Sequence, residues 1–436
     1  MPERFNVRIL DLSTAGEIAR EVARIEPYPE RVAAITPKGL FILIHAAGLS
    51  SAAAMILKQE LLALDADCVI SPEVYLGDRA ASTDALIMAT ARQYRALIPR
   101  LRLFPIDDLP SLAGEIEQTL AAYEGVQEQL EIRGTSFHWG ERTYVMGILN
   151  VTPDSFSGDG LLTSGQPTGG QNAFVAVALA QGRSFAASGV DILDVGGEST
   201  RPGARPVEAA EERRRVEPVI AALRAALALP ISIDTSKAEV AEAALDAGAD
   251  IVNDIWGLRR PGGGWNEDLA KVVADRGVPI VLMHNRRAPA TSGAIGGHYQ
   301  HVHYDDLLGD IVRELRESIA FAESHGIERK RIIVDPGIGF GKTPDQNIEV
   351  LRQLRQLRSI GRPILLGTSR KSFIGRALHL GPDERAEGTG ATVALGIQAG
   401  VDMVRVHDVE PIVRIARMTD AIVRPGAWER ATASTR

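Results

Sequence analysis

The sequence contains a single cysteine, Cys68, among its 436 residues. One cysteine cannot form an intrachain disulfide, so a disulfide-stapled fold is excluded and we expect a cytoplasmic location. Positive charge is not in excess either. The formal net charge of −8 leaves no overall basic field that would attract nucleic acid.

Long apolar runs are also missing. The longest, around residues 39–49, is shorter than the ~20 residues that span a bilayer and contains His45. The first residues, Met1-Pro-Glu-Arg-Phe-Asn6, lack the apolar centre of a secretion signal. We therefore expect no membrane partner. The composition, 45% hydrophobic and 24% charged, is that of a globular protein long enough for a TIM barrel and a smaller unit.

The pattern of the chain changes near residues 125–135, which predicts two domains, residues 1–125 and 135–425. The first is expected to be a small α/β domain, to which the sequence assigns no role. Its predicted strands are residues 5–12, 40–44, 68–70 and 101–104, and its predicted helices are residues 14–25, 50–64, 84–98 and 109–123. The polar stretch 124–140 predicts a linker and a short hairpin.

A strand–helix unit repeats from residue 144 onward. The predicted strands are residues 144–149, 191–195, 230–234, 250–254, 279–283, 331–335, 363–367 and 402–406. The predicted helices are residues 173–188, 208–227, 237–247, 267–276, 305–325, 346–357, 385–399 and 411–421. Strands this apolar and β-branched are typical of parallel sheets covered on both faces. Eight regular units favour a closed (β/α)8 TIM barrel over a doubly wound sheet.

Polar side chains follow each predicted barrel strand. One polar strand end is ordinary, because Asp and Ser also cap helices, and Asp234-Thr-Ser236 alone could be such a cap. Eight of them converging on one face are typical of an active site, since TIM barrels carry function at the carboxyl ends of their strands. The residues concerned include Asn150, Asp194, Asp234, Asn253, His284, Asp335, Lys371 and His407.

The innermost of these groups suit a flat heterocycle with an amino-pyrimidinone edge. The carboxylates of Asp234 and Asp335 can each accept two parallel N–H bonds, and Asn253 adds an amide. Lys371 can donate to a ring carbonyl or nitrogen.

Groups nearer the rim suit an anion as large as pyrophosphate, and helix N-termini reinforce them. They are Asn150, Thr200, Arg201, Ser369, Arg405 and His407. Such an anion in turn implies Mg²⁺, which takes a few protein oxygens together with phosphate. Asn150 and Asp154 offer suitable oxygens.

At these residues the chain resembles dihydropteroate synthase over roughly residues 135–425. The matching segments are Gly147-Ile-Leu-Asn-Val-Thr-Pro-Asp-Ser-Phe-Ser157, Gly196-Gly-Glu-Ser-Thr-Arg-Pro-Gly203, Ile233-Asp-Thr-Ser-Lys237, Asn253-Asp-Ile255, Asp335-Pro-Gly-Ile-Gly-Phe-Gly-Lys342, Thr368-Ser-Arg-Lys371 and Arg405-Val-His-Asp408. The resemblance implies a TIM barrel, acting as a homodimer in folate biosynthesis. Its reaction joins 4-aminobenzoate to 6-hydroxymethyl-7,8-dihydropterin diphosphate and releases pyrophosphate.

The resemblance also implies roles for the matching residues. The pterin would be held by Asp234, Asn253, Asp335 and Lys371. The diphosphate would be held by Asn150, Thr200, Arg201, Arg405 and His407, with Mg²⁺ at Asn150. The aminobenzoate pocket would be lined by Phe156, Pro202 and Ser369. The catalytic residues of an SN1-like displacement would be Asp335, Lys371, Arg201 and Asn150.

Three other patterns have simpler explanations. The segment Phe340-Gly-Lys-Thr343 is similar to a phosphate-binding P-loop, but Pro336 stands where that motif needs glycine. The group His298, His301 and His303 has the closeness of zinc ligands without a supporting cysteine or carboxylate set. The run Arg213-Arg-Arg215 belongs to a helix face of mixed charge and is expected to be solvated.

Two other functions share part of the pattern. A methyltetrahydrofolate-binding methyltransferase domain has the same barrel and pterin pocket, but no use for residues 199–202 and 369–371. A non-catalytic pterin-binding paralogue should have lost Arg201, Lys371, Arg405 or His407, all of which are present. Pterin binding without turnover would identify the paralogue.

Overall fold

The structure, a computed structural model, describes residues 5, 7–78, 81–106, 108–125, 128–151, 171–199, 206–286, 302–424 and 426–427. The chain divides into two compact units, Met1–Ala121 and Ala122–Arg436. No helix among the described residues has both the length and the apolar character needed to cross a membrane.

The first unit is built on a three-stranded antiparallel sheet with the strand order β1-β3-β2. Its strands are β1 (Phe41–Ser50), β2 (Asp67–Val69) and β3 (Ser82–Thr90). Its helices are α1 (Ala15–Ala23), α2 (Pro29–Gly39), α3 (Ser51–Leu62), α4 (Pro72–Tyr75), α5 (Ala91–Leu101) and α6 (Asp108–Glu124). Apolar residues of α3, α5 and α6 pack with Cys68 and Ile87 of the sheet in one core, which explains the buried cysteine.

Three of the predicted elements in this unit are wrong. Residues 84–98 are not one helix, because β3 runs to Thr90 and α5 begins at Ala91. Burial alternates along β3, but its Ala, Leu and Met residues are good helix formers and hide that period. Thr90 then starts the helix through a capping box with Gln93. The described residues of segment 5–12 and residues 101–104 form no strand.

A β-hairpin closes the amino-terminal end of the barrel. Its strands are β4 (Leu130–Ile132) and β5 (Thr135–Phe137). The two-residue turn between them has positive φ at Arg133 (49°) and Gly134 (72°), as a type I′ turn requires. The buried side chains of the hairpin pack against first residues of barrel strands, among them Tyr144, Ile192, Ile251 and Met403. Apolar contacts therefore fill this end of the barrel, and the polar residues lie at the other.

Eight parallel strands form the barrel predicted from the sequence. They are β6 (Tyr144–Asn150), β7 (Ile192–Gly196), β8 (Ile231–Asp234), β9 (Ile251–Asp254), β10 (Ile280–Met283), β11 (Ile332–Asp335), β12 (Leu365–Leu366) and β13 (Met403–Val406). The sheet order is β11-β10-β9-β8-β7-β6-β13-β12. A parallel bridge between Val334 and Ile364 joins the two end strands and closes the ring. The doubly wound alternative is thereby excluded.

Helices surround this ring in the order expected for a TIM barrel. They are α7 (Gln171–Ala187), α8 (Ala209–Ala226), α9 (Ala238–Asp246), α10 (Glu267–Arg276), α11 (Leu307–Ser324), α12 (Pro344–Arg352), α13 (Ser372–Leu378), α14 (Ala386–Ala399) and α15 (Val409–Val423). Two details differ from prediction. The helix predicted for residues 346–357 ends at Arg352 and is followed by the 3₁₀ segment Leu354–Ile360, and α13 was not predicted.

Candidate active site

An arginine held between two carboxylates forms the centre of the polar end of the barrel. Arg405 of β13 donates from Nε to Oδ2 of Asp194 on β7 at 2.6 Å, and from Nη2 to Oδ2 of Asp234 on β8 at 2.6 Å. Asn253 of β9 places its Nδ2 3.3 Å from the same Asp194 oxygen. Four strand ends are thus joined by one hydrogen-bonded network, which fixes the plane of the guanidinium.

Two carboxyl groups of this site, those of Asp234 and Asp335, have raised pKa values. Burial raises the pKa of Asp234 to about 7, against the opposing effect of the Arg405 charge. Burial likewise raises the pKa of Asp335, the last residue of β11, to about 6, although the Gly337 N–H donates to its Oδ1 at 2.7 Å. Raised carboxyl pKa values in a recess are typical of functional sites.

Lys371 supplies the second cation of the site. Its Nζ lies 4.0 Å from the centroid of the Phe340 ring, within the range of a cation–π contact. Burial lowers its pKa to about 8, assisted by Arg405 and opposed by Asp335. Gly339, with φ of +83°, lies against its stem, since a Cβ there would be 3.0 Å from Cδ of Lys371. A side chain at this position would require the Lys371 side chain to shift by a few tenths of an ångström.

Asn150 and Asp234 share a small opening beside Gly196. A Cβ on this glycine would lie 3.8 Å from Oδ1 of Asn150 and 3.6 Å from Oδ2 of Asp234. The missing side chain leaves room between two oxygen atoms at the end of β6 and β8. No group of three or more His, Cys, Asp or Glu side chains that could hold a metal ion occurs in the described part of the chain.

The loops after β12 and β13 are bonded to each other. The Nδ1 atom of His407 lies 3.0 Å from Oγ of Ser369, which also accepts the His407 backbone N–H at 3.1 Å. Arg370 makes a two-bond contact with Asp408, at 3.0 and 2.7 Å. His407 and Lys371, which are 36 positions apart in the sequence, are consequently carried by one connected structure.

Lys237 ties together the two flanks of residues 200–205. Its Nζ donates to Oε2 of Glu198 at 2.8 Å and to the carbonyl of Val207 at 2.6 Å, and it also bonds Glu212. Burial raises the pKa of Glu212, whose Oε1 atom has no hydrogen-bond partner among the described residues. This lysine of the Asp234–Lys237 motif therefore bonds Glu198, Val207 and Glu212 rather than Asp335.

Several predicted site residues lie outside the described part of the chain. They are Phe156, Thr200, Arg201 and Pro202, and the same holds for Asp154, His298 and His301. His303 is described, and its Nε2 pairs with Asp305 at 2.8 Å while the ring is 86% exposed. An exposed histidine paired with a surface carboxylate fits the solvated interpretation.

The structure also brings forward residues that the sequence interpretation did not assign to the site. The sequence places Asp194 at a strand end and predicts no role for it, although a carboxylate inside the apolar strand Ile192–Gly196 is a signal of a buried ion pair. Lys342, the P-loop-like lysine, is buried, and its Nζ lies 2.9 Å from Nδ1 of His284. It contacts protein atoms on all sides rather than lining a phosphate-binding loop.

Comparison with known proteins identifies the family of the chain. A family model described as pterin binding enzyme matches residues 146–407. The dihydropteroate synthase of Bacillus subtilis (strain 168) is 47% identical over 297 residues, which are 68% of this chain and 94% of that protein. The solved structure of Xanthomonas albilineans dihydropteroate synthase in complex with 7,8-dihydropteroate is 39% identical, with a TM-score of 0.56, and the match covers 68% of this chain and 98% of that one.

A third relative matches more of the chain. The probable bifunctional folylpolyglutamate synthase/dihydropteroate synthase of Haloferax volcanii is 38% identical over 385 residues, which are 86% of this chain and 43% of that protein. A match of that length is longer than the unit Ala122–Arg436 and so includes part of the first unit. The chain therefore belongs to the pterin-binding enzymes, and within them to the dihydropteroate synthases, the transferases of folate biosynthesis.

Proposed function

We propose that the carboxyl end of the barrel joins 6-hydroxymethyl-7,8-dihydropterin diphosphate to 4-aminobenzoate, giving 7,8-dihydropteroate and pyrophosphate. The observation that carries this proposal is the buried network of Arg405, Asp194 and Asp234 next to Asp335 and Lys371. It combines acceptors for a flat heterocycle with cations for a leaving anion. The solved Xanthomonas relative is described as a complex with 7,8-dihydropteroate.

The pterin ring would be held by Asp234, Asn253, Asp335 and Lys371. The carboxylates accept the ring N–H groups, and the Lys371 ammonium donates to a ring oxygen or nitrogen. In an SN1-like displacement the C–O bond to the diphosphate breaks first and leaves positive charge delocalised over the pterin. Asp335, buried and ionised, stabilises that charge, because electrostatic interactions are strong where water is excluded.

The diphosphate would be held by Asn150, Thr200, Arg201, Arg405 and His407. Arg405 directs Nε at Asp194 and Nη2 at both Asp194 and Asp234, and its Nη1, with two N–H donors, makes no bond to a described residue and could donate to an anion. The guanidinium groups of Arg201 and Arg405 would stabilise negative charge as pyrophosphate leaves. Arg201 and Asn150 complete the proposed catalytic set with Asp335 and Lys371.

The aminobenzoate would be bound by Phe156, Pro202 and Ser369. Its amine attacks the pterin methylene carbon, forms the C–N bond and loses a proton to solvent or to the departing pyrophosphate. The Ser369 hydroxyl already bonds His407, so this contact would couple the aminobenzoate and diphosphate subsites.

Mg²⁺ fits this set through Asn150. The ion prefers one or two protein oxygens plus phosphate and water, and Oδ1 of Asn150 beside the open Gly196 offers one such oxygen. When bound there, Mg²⁺ would neutralise charge on the diphosphate.

We further propose a cytoplasmic homodimer formed through the last barrel helices. Leu395 of α14 and Met418 and Ile422 of α15 are exposed apolar residues, at 60%, 61% and 71%. Exposed apolar side chains on adjacent helices are typical of a subunit interface. Light scattering of Ile422→Glu against the unsubstituted protein would test this, and a monomer in both samples would contradict it.

The decisive experiment is an assay of the purified protein with Mg²⁺, 4-aminobenzoate and the dihydropterin diphosphate, followed by mass spectrometry. We expect dihydropteroate, lost in Lys371→Ala and Asp335→Ala. The matched control is Lys330→Ala, because Lys330 is a half-exposed lysine paired with Glu328. Absence of product with intact pterin binding would favour the non-catalytic paralogue.

A further inference from the structure

A buried ammonium lies behind the catalytic recess. Lys342 is 2% exposed, and its Nζ lies 2.9 Å from Nδ1 of His284, 3.1 Å from the carbonyl of Phe340 and 3.2 Å from the carbonyl of Gly337. An ammonium has three N–H donors, and it meets three acceptors here. The charged form of Lys342 is therefore the form that this cage satisfies.

His284 connects Lys342 to a carboxylate. Its Nε2 lies 3.1 Å from Oε2 of Glu314, so that nitrogen carries the proton and Nδ1 accepts from Lys342. Burial, with the nearby Lys342 charge, lowers the pKa of His284 to about 3 and keeps the ring neutral. Against burial, hydrogen bonds from His284 and Arg286 lower the pKa of Glu314 to about 2. The three groups form an ammonium–imidazole–carboxylate array.

The two carbonyls that accept from Lys342 belong to Gly337 and Phe340, which contact Asp335 and Lys371. Gly337 accepts from Lys342 through its carbonyl and donates its N–H to Oδ1 of Asp335 at 2.7 Å. Phe340 accepts from Lys342 through its carbonyl, and its ring supports the Lys371 ammonium. Lys342 thus bonds the two residues that contact the side chains of Asp335 and Lys371.

The surrounding backbone leaves little room for adjustment. Gly337 has φ of +68°, and a Cβ there would lie 1.9 Å from the carbonyl oxygen of His284. Gly341 has φ of +57°, and a Cβ there would lie 1.8 Å from the carbonyl oxygen of Arg286. The loops after β10 and β11 are packed backbone to backbone, so a displacement of one moves the other.

We propose that Lys342 is a positioning residue for the synthase reaction, which holds Asp335 and Lys371 at their spacing across the pterin recess, and that Glu314 maintains its charge through His284. The proposal rests on the function proposed above. Lys342 does not touch the substrate; it acts through Gly337 and Phe340, and through its charge.

The charge of Lys342 has a consequence that can be measured. The charged groups that face Asp335 are Lys371, Arg405 and Lys342, and each lowers its pKa against the raising effect of burial. Removing the Lys342 charge should therefore raise the pKa of Asp335 further. Burial lowers the pKa of Lys342 to about 7, Asp335 and Glu314 raise it, and Arg286 and Lys371 lower it. Loss of the Glu314 charge should consequently favour the neutral amine at neutral pH.

The test compares Lys342→Met, which keeps an unbranched chain without the charge, with Glu314→Gln, which nearly keeps the shape of the carboxylate. We would measure kcat, the KM of each substrate and the pH profile of kcat/KM, with Lys330→Met as control. In both variants KM for the pterin diphosphate should rise about tenfold or more, because a charge-assisted contact to the pterin is misplaced. The acidic limb of the profile should move to higher pH, and KM for 4-aminobenzoate should change much less.

The kinetics of the two variants distinguish a positioning role of Lys342 from a purely structural one. Unchanged KM and pH profiles in folded variants would overturn the proposal, as would a uniform fall in kcat without a shift of the acidic limb. If only Lys342→Met fails to fold, the profile of Glu314→Gln decides. Unfolding of both variants would assign the array to stability alone and would also overturn the positioning role. Failure of the unsubstituted protein to form dihydropteroate would instead refute the function proposed above.

Discussion

The Asp194 carboxylate should be one of the largest single contributors to the stability of the barrel unit. It is fully buried, accepts from Nε of Arg405 at 2.6 Å and has the Asn253 amide 3.3 Å away. In Asp194→Ala, loss of the charge-assisted bond costs about 1.5–3 kcal/mol, and leaving the amide without an acceptor costs about 1–3 kcal/mol. The two losses add to about 2.5–6 kcal/mol, and because Arg405 keeps its bond to Asp234 we expect the middle of that range, about 3–5 kcal/mol.

The Asp194→Asn variant separates charge from hydrogen bonding. An asparagine retains one oxygen acceptor for Arg405, but it replaces a charge-assisted bond with a weaker one. It also relieves the repulsion by which Asp194 helps to raise the pKa of Asp234. These effects oppose each other, and we expect a loss of only about 1–2 kcal/mol.

Urea and thermal unfolding of the two variants would measure these differences. At roughly 2 °C per kcal/mol, Asp194→Ala should lower Tm by about 6–10 °C. The control is Glu410→Ala, which breaks an exposed ion pair with Arg414 and should cost about 0–1 kcal/mol. If Asp194→Ala costs no more than this control, the buried network does not carry the stability that its geometry indicates.

Three further outcomes follow from the site. Lys371→Met should lower kcat/KM about 10²–10³-fold, as loss of one electrostatic group in an active site does. A stopped assay with mass spectrometry measures kcat/KM, and a change of less than about fivefold would contradict the catalytic role proposed for Lys371. Burial raises the pKa of Asp335 to about 6, so kcat/KM should fall as the pH drops below about 6 and this carboxylate takes up a proton. A profile that is level from pH 8 to 5 would argue against that role. Gly337→Ala should destabilise the protein far more than Gly264→Ala. Both glycines have positive φ, but only a Cβ at Gly337 would meet a backbone oxygen, that of His284. Equal midpoints of urea unfolding for the two variants would show that the backbone at Gly337 can shift.

The barrel was predictable because its strands are short, apolar and bounded by polar ends. Each buried strand is covered on both faces, so its hydrophobic run is continuous and needs no knowledge of its neighbours. The same logic failed in the first unit. There β3 faces a core on one side only, and residues such as Ala85, Ala89 and Met88 favour a helix by intrinsic propensity.

The functional elements were predictable to different degrees. Asp234, Asn253, Asp335, Lys371 and Arg405 were assigned to the site from strand-end position and from resemblance, and the structure places all of them at the polar end of the barrel. Their residue-by-residue roles stay predictions. A sequence motif alone did not predict the surroundings of Lys342. The segment is similar to a phosphate-binding loop, yet its lysine is buried and bonded to His284.

By itself, the sequence determined the barrel, the polar end of the barrel and the family, because these depend on local periodicity and on segments contiguous in the chain. Only the tertiary structure decided which charges meet. Arg405 reaches Asp194 and Asp234 across 211 and 171 positions of sequence, and Lys342 reaches His284 across 58. Such pairings have no local signature, since closure of the ring brings distant strand ends together, and burial then decides which of them must neutralise one another.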